Sequence, residues 1–483
     1  RNMERRIAAS PPGLCPVDMA LNFLNLCQAQ TCGKCVPCRI GLTQLSNMIR
    51  GVLDGDPPVG ILRRIENTAQ VIVDTADCAI GVDAAQLVLM GLKGFRDDYE
   101  EHILHHRCLG SLKNPVPCVA LCPAGVDIPG YIALVNEGRC ADAVRLIRKD
   151  NPFPVSCAYI CEHPCESRCR RNMVDDAINI RGLKRVAADF AGEVDPPAPA
   201  PSTGKKIAVI GAGPAGLSCA YYLAERGYKP TVFEKNERPG GMLVYGIPSY
   251  KLEKDVVDAE IEVLRQMGVD IRCGVEVGRD ITLDTLRREG YKAFYVAIGC
   301  QDGRSAGIPG EDTAGVMTAV DFLHAVAENE TYPVEGRAVV IGGGNVAIDV
   351  ARTSVRCGAA EVSMYCLEPR ESMPASAEEA AEAEDEGVAI RCGWGPKEIL
   401  AEAGRVTGIV LKRCVSVFDE NGRFCPRYDE ADTITVPCEH VFLSIGQSIR
   451  WGSLLDGAKV ELGRGGAAVA DPLTYQTAQP DIF

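Results

Sequence analysis

Twenty-three cysteines in 483 residues are the side chains of this sequence best placed to do chemistry. Eleven of them fall before residue 170 in tight groups. Cys32, Cys35 and Cys38 stand two residues apart from one another, with a remote Cys78 in DTADCAIG. Cys108, Cys118 and Cys122 follow, then Cys157, Cys161, Cys165 and Cys169 at three-residue intervals. Thiolates at such spacing wrap one corner of a metal centre, and a remote fourth closes it while tying two segments together. Four thiolates suit a [4Fe–4S] cubane and also suit zinc, so the spacing alone leaves both open. The other twelve cysteines, Cys219, Cys273 and Cys392 among them, sit singly in apolar patterns and read as buried small hydrophobes.

A second chemistry is written in glycine. KIAVIGAGPAGLSCAYYL places Gly211-x-Gly213-x-x-Gly216, with Pro214 and Ala215 inside the motif, between a β-branched run and a helical one. Glycine there allows a tight turn, close approach to a pyrophosphate and helix–strand contact; the helix N-terminus favours the negative charge. The next apolar run, TVFEK, ends in Glu234 and Lys235, at the distance expected of a carboxylate that binds a ribose. About 130 residues further on, RAVVIGGGNVAIDVARTSVR repeats the device as Gly342-x-Gly344-x-x-Ala347, followed through the helix by Asp349 and containing Asn345 and Val346. Alanine in the third position still permits close packing.

The elements that must position these residues change along the chain. Apolar positions in LNFLNLCQAQ and LVLMGLKGF recur at helical spacing, and DGDPPVG (54–60) interrupts them as a loop. The cysteine-dense stretch holds one helical run, YIALVNEGRCADAVRLIRK, and GEVDPPAPAPSTG (192–204) is a Pro/Ala-rich linker. From Lys205 onward short runs (KIAVIG, KPTVFEK, AFYVAIG, AVVIGGG, HVFLSIG) alternate with helical segments, the pattern of parallel sheets with crossover helices. The expected fold is therefore multidomain: two N-terminal α-helical domains over 1–107 and 108–192, a linker over 193–204, then α/β Rossmann-like domains for two dinucleotides. The first of these runs over 205–318 and 433–483, with the second inserted at 319–432.

A net charge of −14 argues against a nucleic-acid footprint, which needs a basic face. No run of about 18 apolar residues exists for a transmembrane helix, and RNMERRIAAS is not followed by the apolar stretch of a signal peptide, so a cytoplasmic protein is expected. With six histidines there is no Ser-His-Asp or paired-carboxylate constellation, and AEEAAEAEDEGV (377–388) reads as a solvated acidic helix.

TCGKCVPCRIG, DCAIG and FRDDYEEHI resemble the C-terminal cluster domain of the NADH-binding flavin subunit of respiratory complex I and its relatives among bifurcating hydrogenases, over about residues 3–103. The resemblance implies one [4Fe–4S] cluster on Cys32, Cys35, Cys38 and Cys78, in a module kept as a cluster holder without that family's FMN- and NADH-binding portion. RCLGSLKNPVPCVALCPAGVDIPGYI and NPFPVSCAYICEHPCESRCRR resemble the N-terminal domain of the glutamate synthase small subunit, shared with dihydropyrimidine dehydrogenase and NADH-dependent ferredoxin:NADP oxidoreductase. That implies two further cubanes, each drawing ligands from both segments. Two departures stand out. LGSLKN lacks the second cysteine usual there, and in INIRGLKR Lys184 takes the place of a Gln or Glu ligand, where an ammonium cannot bind iron. Seven cysteines must then serve two clusters, with His105 or His106 as stand-ins, or one cluster is lost or oddly ligated.

ERPGGMLVYGIPSYKLEKD (237–255) is a near match to the same small-subunit family, where it lies against FAD; this implies flavin contacts from Gly240, Gly241, Met242, Gly246, Ile247 and Pro248. VAIG (296–299), with Ala297 and Gly299, and SIGQ (444–447), with Gly446 and Gln447, match the family's two crossings between FAD and nucleotide domains. The family continues beyond TAQPDIF into a Gly-Gly-Asp segment over the FAD phosphates, so the sequence is expected to be a piece of a longer chain. The second glycine site looks like the family's NAD(P)H domain. In VSMYCLEPRESMPA, however, Leu367 and Glu368 occupy the places of two arginines. Arginine would clamp the 2′-phosphate of NADP, whereas a carboxylate repels it and accepts from a free 2′-hydroxyl. NAD(H) is thus favoured over NADP(H), with Arg352 or Arg370 able to restore NADP binding.

These resemblances imply an FAD-dependent NAD(P)H oxidoreductase, an electron-transfer subunit carrying three [4Fe–4S] clusters. Its expected partners are redox subunits of a hydrogenase- or transhydrogenase-type complex, flavin or iron–sulfur subunits, or ferredoxin, with no nucleic acid and no membrane. The alternatives are a glutamate synthase small subunit and a non-catalytic electron wire or scaffold.

Overall fold

The structure, a computed structural model, describes residues 15–54, 57–58, 60–105, 116–420, 422–472 and 474–483. It divides into two compact units, one formed by the chain up to Pro154 with Cys161–Gly192, the other by Val155–Ile160 with Glu193–Phe483.

The described elements of the first unit are helical. Its Pro16–Ala29 helix opens on a proline, tolerated where the N–H would be unbonded anyway, and buries Val17, Ala20, Leu21, Leu24 and Cys27 on one stripe. Ile61–Thr75 does the same with Ile61, Ile65, Ala69 and Ile72. These stripes meet Leu42, Leu45 and Ile49 of the Leu42–Asp54 helix and Ala84, Ala85 and Val88 of the Ala79–Gly94 helix in a single core. The helical run expected around residue 138 is two helices, Ile128–Asn136 and Cys140–Arg148, parted at Gly138, whose φ of 74° ends the first. Asp127 caps the first of these by accepting from the Gly130 amide at 3.0 Å.

The second unit is built on two parallel sheets. In one, β1 (Lys206–Ile210), β2 (Lys229–Phe233), β3 (Asp270–Arg272) and β4 (Tyr291–Val296) run in the order β3-β2-β1-β4. The chain leaves through β5 (Asp302–Gly303) for a five-stranded sheet. There β6 (Val316–Thr318), β7 (Arg337–Ile341), β8 (Glu361–Cys366), β9 (Ala389–Cys392) and the later His440–Leu443 strand are ordered β6, His440–Leu443, β7, β8, β9. A three-stranded antiparallel sheet of Trp394–Glu402, Arg405–Phe418 and Phe424–Pro437 follows β9. The chain returns through Gln447–Ser448, the antiparallel partner of β5.

The His440–Leu443 strand falls within the stretch expected to belong to the returning first domain, yet it pairs with β6 and β7. Its apolar residues complete the second core; Phe442 stacks against Phe322 with centroids 4.1 Å apart. The acidic run is helical with most of its acids exposed, as expected, and it is also tied down by cations. The Ala377–Asp385 helix is ion-paired, with Glu379 on Lys251 (2.5 Å), Glu382 on Arg352 (2.5 Å) and Glu384 on Arg370 (2.7 Å), and just beyond it Glu386 binds Arg352 and Arg356. No helix among the described residues is long and apolar enough to cross a membrane.

Candidate functional site

The two glycine loops are built alike. Gly211 follows β1, donates its N–H to Phe233 O at 2.8 Å and has φ 106°. A Cβ there would lie 2.3 Å from the carbonyl oxygen of Ala297, so only glycine lets the VAIG segment pass so close. Gly342 follows β7, donates to Tyr365 O at 2.9 Å and has φ 144°. A Cβ at this position would stand 2.2 Å from Ser444 O, in the SIGQ segment. Each loop opens a helix of twelve residues, Pro214–Glu225 and Asn345–Arg356, whose first amides point back toward the loop.

Around the first loop lies a cavity lined by Gly211, Gly213, Pro214, Ala215, Glu234, Lys235, Gly241, Met242, Ala297 and Gly299, all expected from the sequence. Its wall also contains Val275, Val277, Cys300, Gln301, Trp451 and Leu454, which sequence reasoning missed. Cys300 and Gln301 directly follow VAIG and were within reach of that signal; Val275, Trp451 and Leu454 lie on loops that only the fold brings there. Gly216, Gly240, Gly246, Ile247, Pro248, Gly446 and Gln447 do not line this cavity. Lys254 holds the 243–247 segment by donating to Leu243 O and Ile247 O, and burial lowers its pKa to about 8. Glu234 is buried and accepts from the amides of Ala212 (2.7 Å) and Asn236 (2.9 Å), one on each oxygen. A backbone carved to admit a close neighbour and a buried carboxylate beside the helix N-terminus fit the adenosine half of FAD.

At the second loop, Gly344 has open space beside it, Ala347 is fully buried, and Val346 is exposed. Asn345 accepts from the Ser376 amide at 2.9 Å. Asp349 lies 2.7 Å from Lys251; burial pushes its carboxyl up to about 6 despite the ammonium. Glu368 projects toward the loop, its Oε2 3.0 Å from where a Cβ on Gly343 would be.

The thiols sort into sets. Cys38 is buried, and the charges of Cys35, Cys78 and Cys32 all act on it; burial and these neighbours push its thiol up to about 12. The backbone of Asp77 and then Cys38 pull Cys35 down instead. Cys78 stands just before the Ala79–Gly94 helix, and a Cβ on Gly81 in its first turn would lie 2.6 Å from Cys38 Sγ. In the second stretch, Cys118 neighbours Cys169, whereas Cys122 and Cys161 surround Cys165, whose thiol burial raises to about 11. Cys157 is on the Pro154–Ile160 helix, mostly assigned to the other compact unit. Cys108 and His106 lie outside the described residues, as does the side chain of His105. Among the described residues no group of three Cys, His, Asp or Glu closes around a single metal ion. Thiolates on one zinc stand about 3.8 Å apart given 2.3 Å bonds. An all-thiol donor set of this kind suits a [4Fe–4S] cubane.

Fold and site thus define a flavoprotein with two dinucleotide loops and thiol-rich helical domains. The comparisons agree. Residues 205–483 match the pyridine nucleotide-disulphide oxidoreductase model, 18–102 the NADH-ubiquinone oxidoreductase-F iron-sulfur binding region, and 96–195 dihydropyrimidine dehydrogenase domain II, 4Fe-4S cluster. The β subunit of NADP(+)-dependent formate dehydrogenase from Moorella thermoacetica is 34% identical, over 98% of this chain and 77% of the relative. The β subunit of NADPH-Fe(3+) oxidoreductase from Geobacter sulfurreducens is 34% identical over 89% of this chain, which spans 66% of that relative's length. The glutamate synthase [NADPH] small chain of Escherichia coli is 35% identical, over 78% of this chain and 84% of the relative. The chain belongs to the pyridine nucleotide-disulphide oxidoreductase family, as an iron–sulfur member: an FAD-dependent NAD(P)H oxidoreductase that transfers electrons. Its cofactors are FAD, a nicotinamide nucleotide and [4Fe–4S] clusters.

Proposed function

We propose that this chain exchanges electrons between NAD(H) and partner redox subunits of a larger complex, with FAD held at the Gly211 loop and the nicotinamide nucleotide at the Gly342 loop. In this reading the first cluster takes Cys32, Cys35, Cys38 and Cys78, and the second stretch holds two more on Cys108, Cys118, Cys122, Cys157, Cys161, Cys165 and Cys169. FAD, when bound, supplies the exchange between electron pairs and single electrons. The chain's own residues do the rest: Gly211 and Gly342 let the Ala297 and Ser444 segments pass close to the loops, Glu234 braces the first loop, and Lys254 holds the 243–247 segment that carries Gly246 and Ile247.

The preference for NAD(H) rests on Glu368. Among the described residues its carboxylate has no hydrogen bond or ion pair, so it is available to a ribose 2′-hydroxyl beside Gly343. The two arginines able to restore NADP binding are already engaged, Arg352 by Glu382 and Glu386 and Arg370 by Glu384. The names of the relatives lean the other way, toward NADP(H). Two of those relatives are named as β subunits, which supports partner subunits here.

Anaerobic titration with NADH and, separately, NADPH, following flavin bleaching and cluster EPR together, tests the reading. Reduction of flavin and clusters at lower NADH than NADPH is expected. A preference for NADPH removes the Glu368 argument, and no response to either nucleotide leaves an electron wire or scaffold.

A further inference from the structure

Lys251 belongs to the stretch between β2 and β3 of the first sheet, yet its ammonium is held by two helices of the second. It lies 2.7 Å from Asp349 on the Asn345–Arg356 helix and 2.5 Å from Glu379 on the Ala377–Asp385 helix. All three side chains are mostly withdrawn from water, at 19%, 13% and 18% exposed. Charges paired in that setting are firmly held, because parting them leaves a buried charge uncompensated. The neighbouring Tyr250 ring lies over the guanidinium groups of Arg356 (3.9 Å) and Arg352 (5.0 Å). Asp349, Arg352 and Arg356 recur at helical spacing, so one helix grips two consecutive residues.

The grip is anchored at both ends. On the nucleotide side, Gly343 O accepts from the Ala375 amide and Asn345 Oδ1 from the Ser376 amide, both at 2.9 Å. Ser376 in turn caps the helix that carries Glu379, accepting from the Glu379 amide at 3.2 Å. Asp349 follows one turn after Asn345 on the helix that the glycine loop opens. On the other side, the amides of Lys251 and Leu252 donate to Pro248 O at 3.0 and 3.1 Å, and Leu252 is fully buried. Lys254 closes the segment on Leu243 O and Ile247 O. A shift of the Gly343–Asn345 loop therefore reaches Ile247 and Pro248 through bonded groups at every step.

We propose that Lys251 is a positioning residue for the reaction: by tying Asp349 and Glu379 to the 243–254 segment, it holds the Gly342 loop in register with Gly246, Ile247 and Pro248. This rests on the proposed placement of FAD at the Gly211 loop and of the nicotinamide nucleotide at the Gly342 loop. Lys251 makes and breaks no bond in this role and moves no proton. Its contribution is alignment, on which rate depends steeply, since a misplacement of about 1 Å costs on the order of 100-fold.

The test uses the full chain, purified anaerobically, with Lys251→Met, Lys251→Arg and Tyr250→Ser beside it. Stopped-flow bleaching gives the limiting rate and the half-saturating concentration of whichever nucleotide, NADH or NADPH, acts at the lower concentration. Hydrogen exchange of residues 243–254, with and without the oxidised nucleotide, reads the linkage without turnover. In the unsubstituted chain the nucleotide should slow that exchange about fivefold or more. Lys251→Met should lose this protection, and its limiting rate should fall about 10- to 100-fold while half-saturation stays within about threefold. Lys251→Arg should keep most of the protection and the rate. If Lys251→Met does not fold, Tyr250→Ser, which changes a 37% exposed ring, should still lower the limiting rate with half-saturation retained. Full protection and rate in Lys251→Met overturn the proposal, as does weaker half-saturation at an unchanged limiting rate, or an unaltered Tyr250→Ser where Lys251→Met cannot be obtained. An unsubstituted chain that bleaches with neither nucleotide would instead sink the reading on which the proposal rests.

Discussion

The Gly211 and Gly342 loops show one backbone device put to two uses. Each glycine donates to the end of a neighbouring strand, Phe233 O or Tyr365 O, and each faces the carbonyl of a crossing segment, Ala297 O or Ser444 O. The crossing segments themselves are tied in alike, Ala297 N to Ile210 O at 2.8 Å and Ser444 N to Ile341 O at 2.7 Å. The acids that follow differ. Glu234 is buried and bonded to the amides of Ala212 and Asn236, so it shapes its own loop before any ligand arrives. Glu368 is partly exposed and among the described residues carries no such bonds, which in the proposed reading leaves it to discriminate between ligands. A permanently held cofactor suits the first arrangement and an exchanging one the second.

The strongest way to break this pairing is to fill the two glycines. Gly211→Val and Gly342→Val each force a side chain into a backbone carbonyl, at a cost of about 3 kcal/mol or more. Gly211→Val should purify without flavin absorbance. Gly342→Val should keep its flavin but no longer bleach with NADH. Loss of flavin from both would mean that the loops do not work independently. A smaller effect is expected from Glu368→Arg, which should move the NADPH-to-NADH ratio of half-bleaching concentrations tenfold or more toward NADPH, ~1.4 kcal/mol. An unmoved ratio would strip the second acid of its discriminating role.

The smallest effect concerns the ion pairs behind the second loop alone. Arg356 and then Arg352 hold Glu386 at about 2, below its ordinary 4.5. A depressed carboxylate contributes stability that is fully present above 4.5 and is lost as pH falls through 2. Thermal unfolding between neutral and acid pH should therefore show a shallower acid limb for Glu386→Gln, by less than about 1 kcal/mol because the pair is near the surface. An identical limb would show that the network adds nothing to the second domain.

Much of this molecule was legible in one dimension. The change from helical spacing to alternating strands and helices after the Pro/Ala linker agrees with the helical first unit and the parallel sheets of the second. Motif spacing located both glycine loops, and together with the family resemblance it named part of the cavity wall around the first. Other features were not legible. His440–Leu443 reads as any short apolar strand, and only its place between β6 and β7 assigns it to the second sheet. The ion pairs of the exposed acidic helix were hidden because its cations, Lys251, Arg352, Arg356 and Arg370, are scattered along the chain.

The sequence by itself determined residue chemistry and local conformation: which groups are thiols, where a turn requires glycine, and which period each segment follows. Those properties depend on side-chain type and on backbone sterics over a few residues, so adjacency is enough to specify them. Only the folded chain settles which thiols share a neighbourhood, which carbonyl presses on which glycine, and which buried charges are paired. Burial and close approach arise from segments far apart in the chain, and their energies exist only once water has been excluded between them.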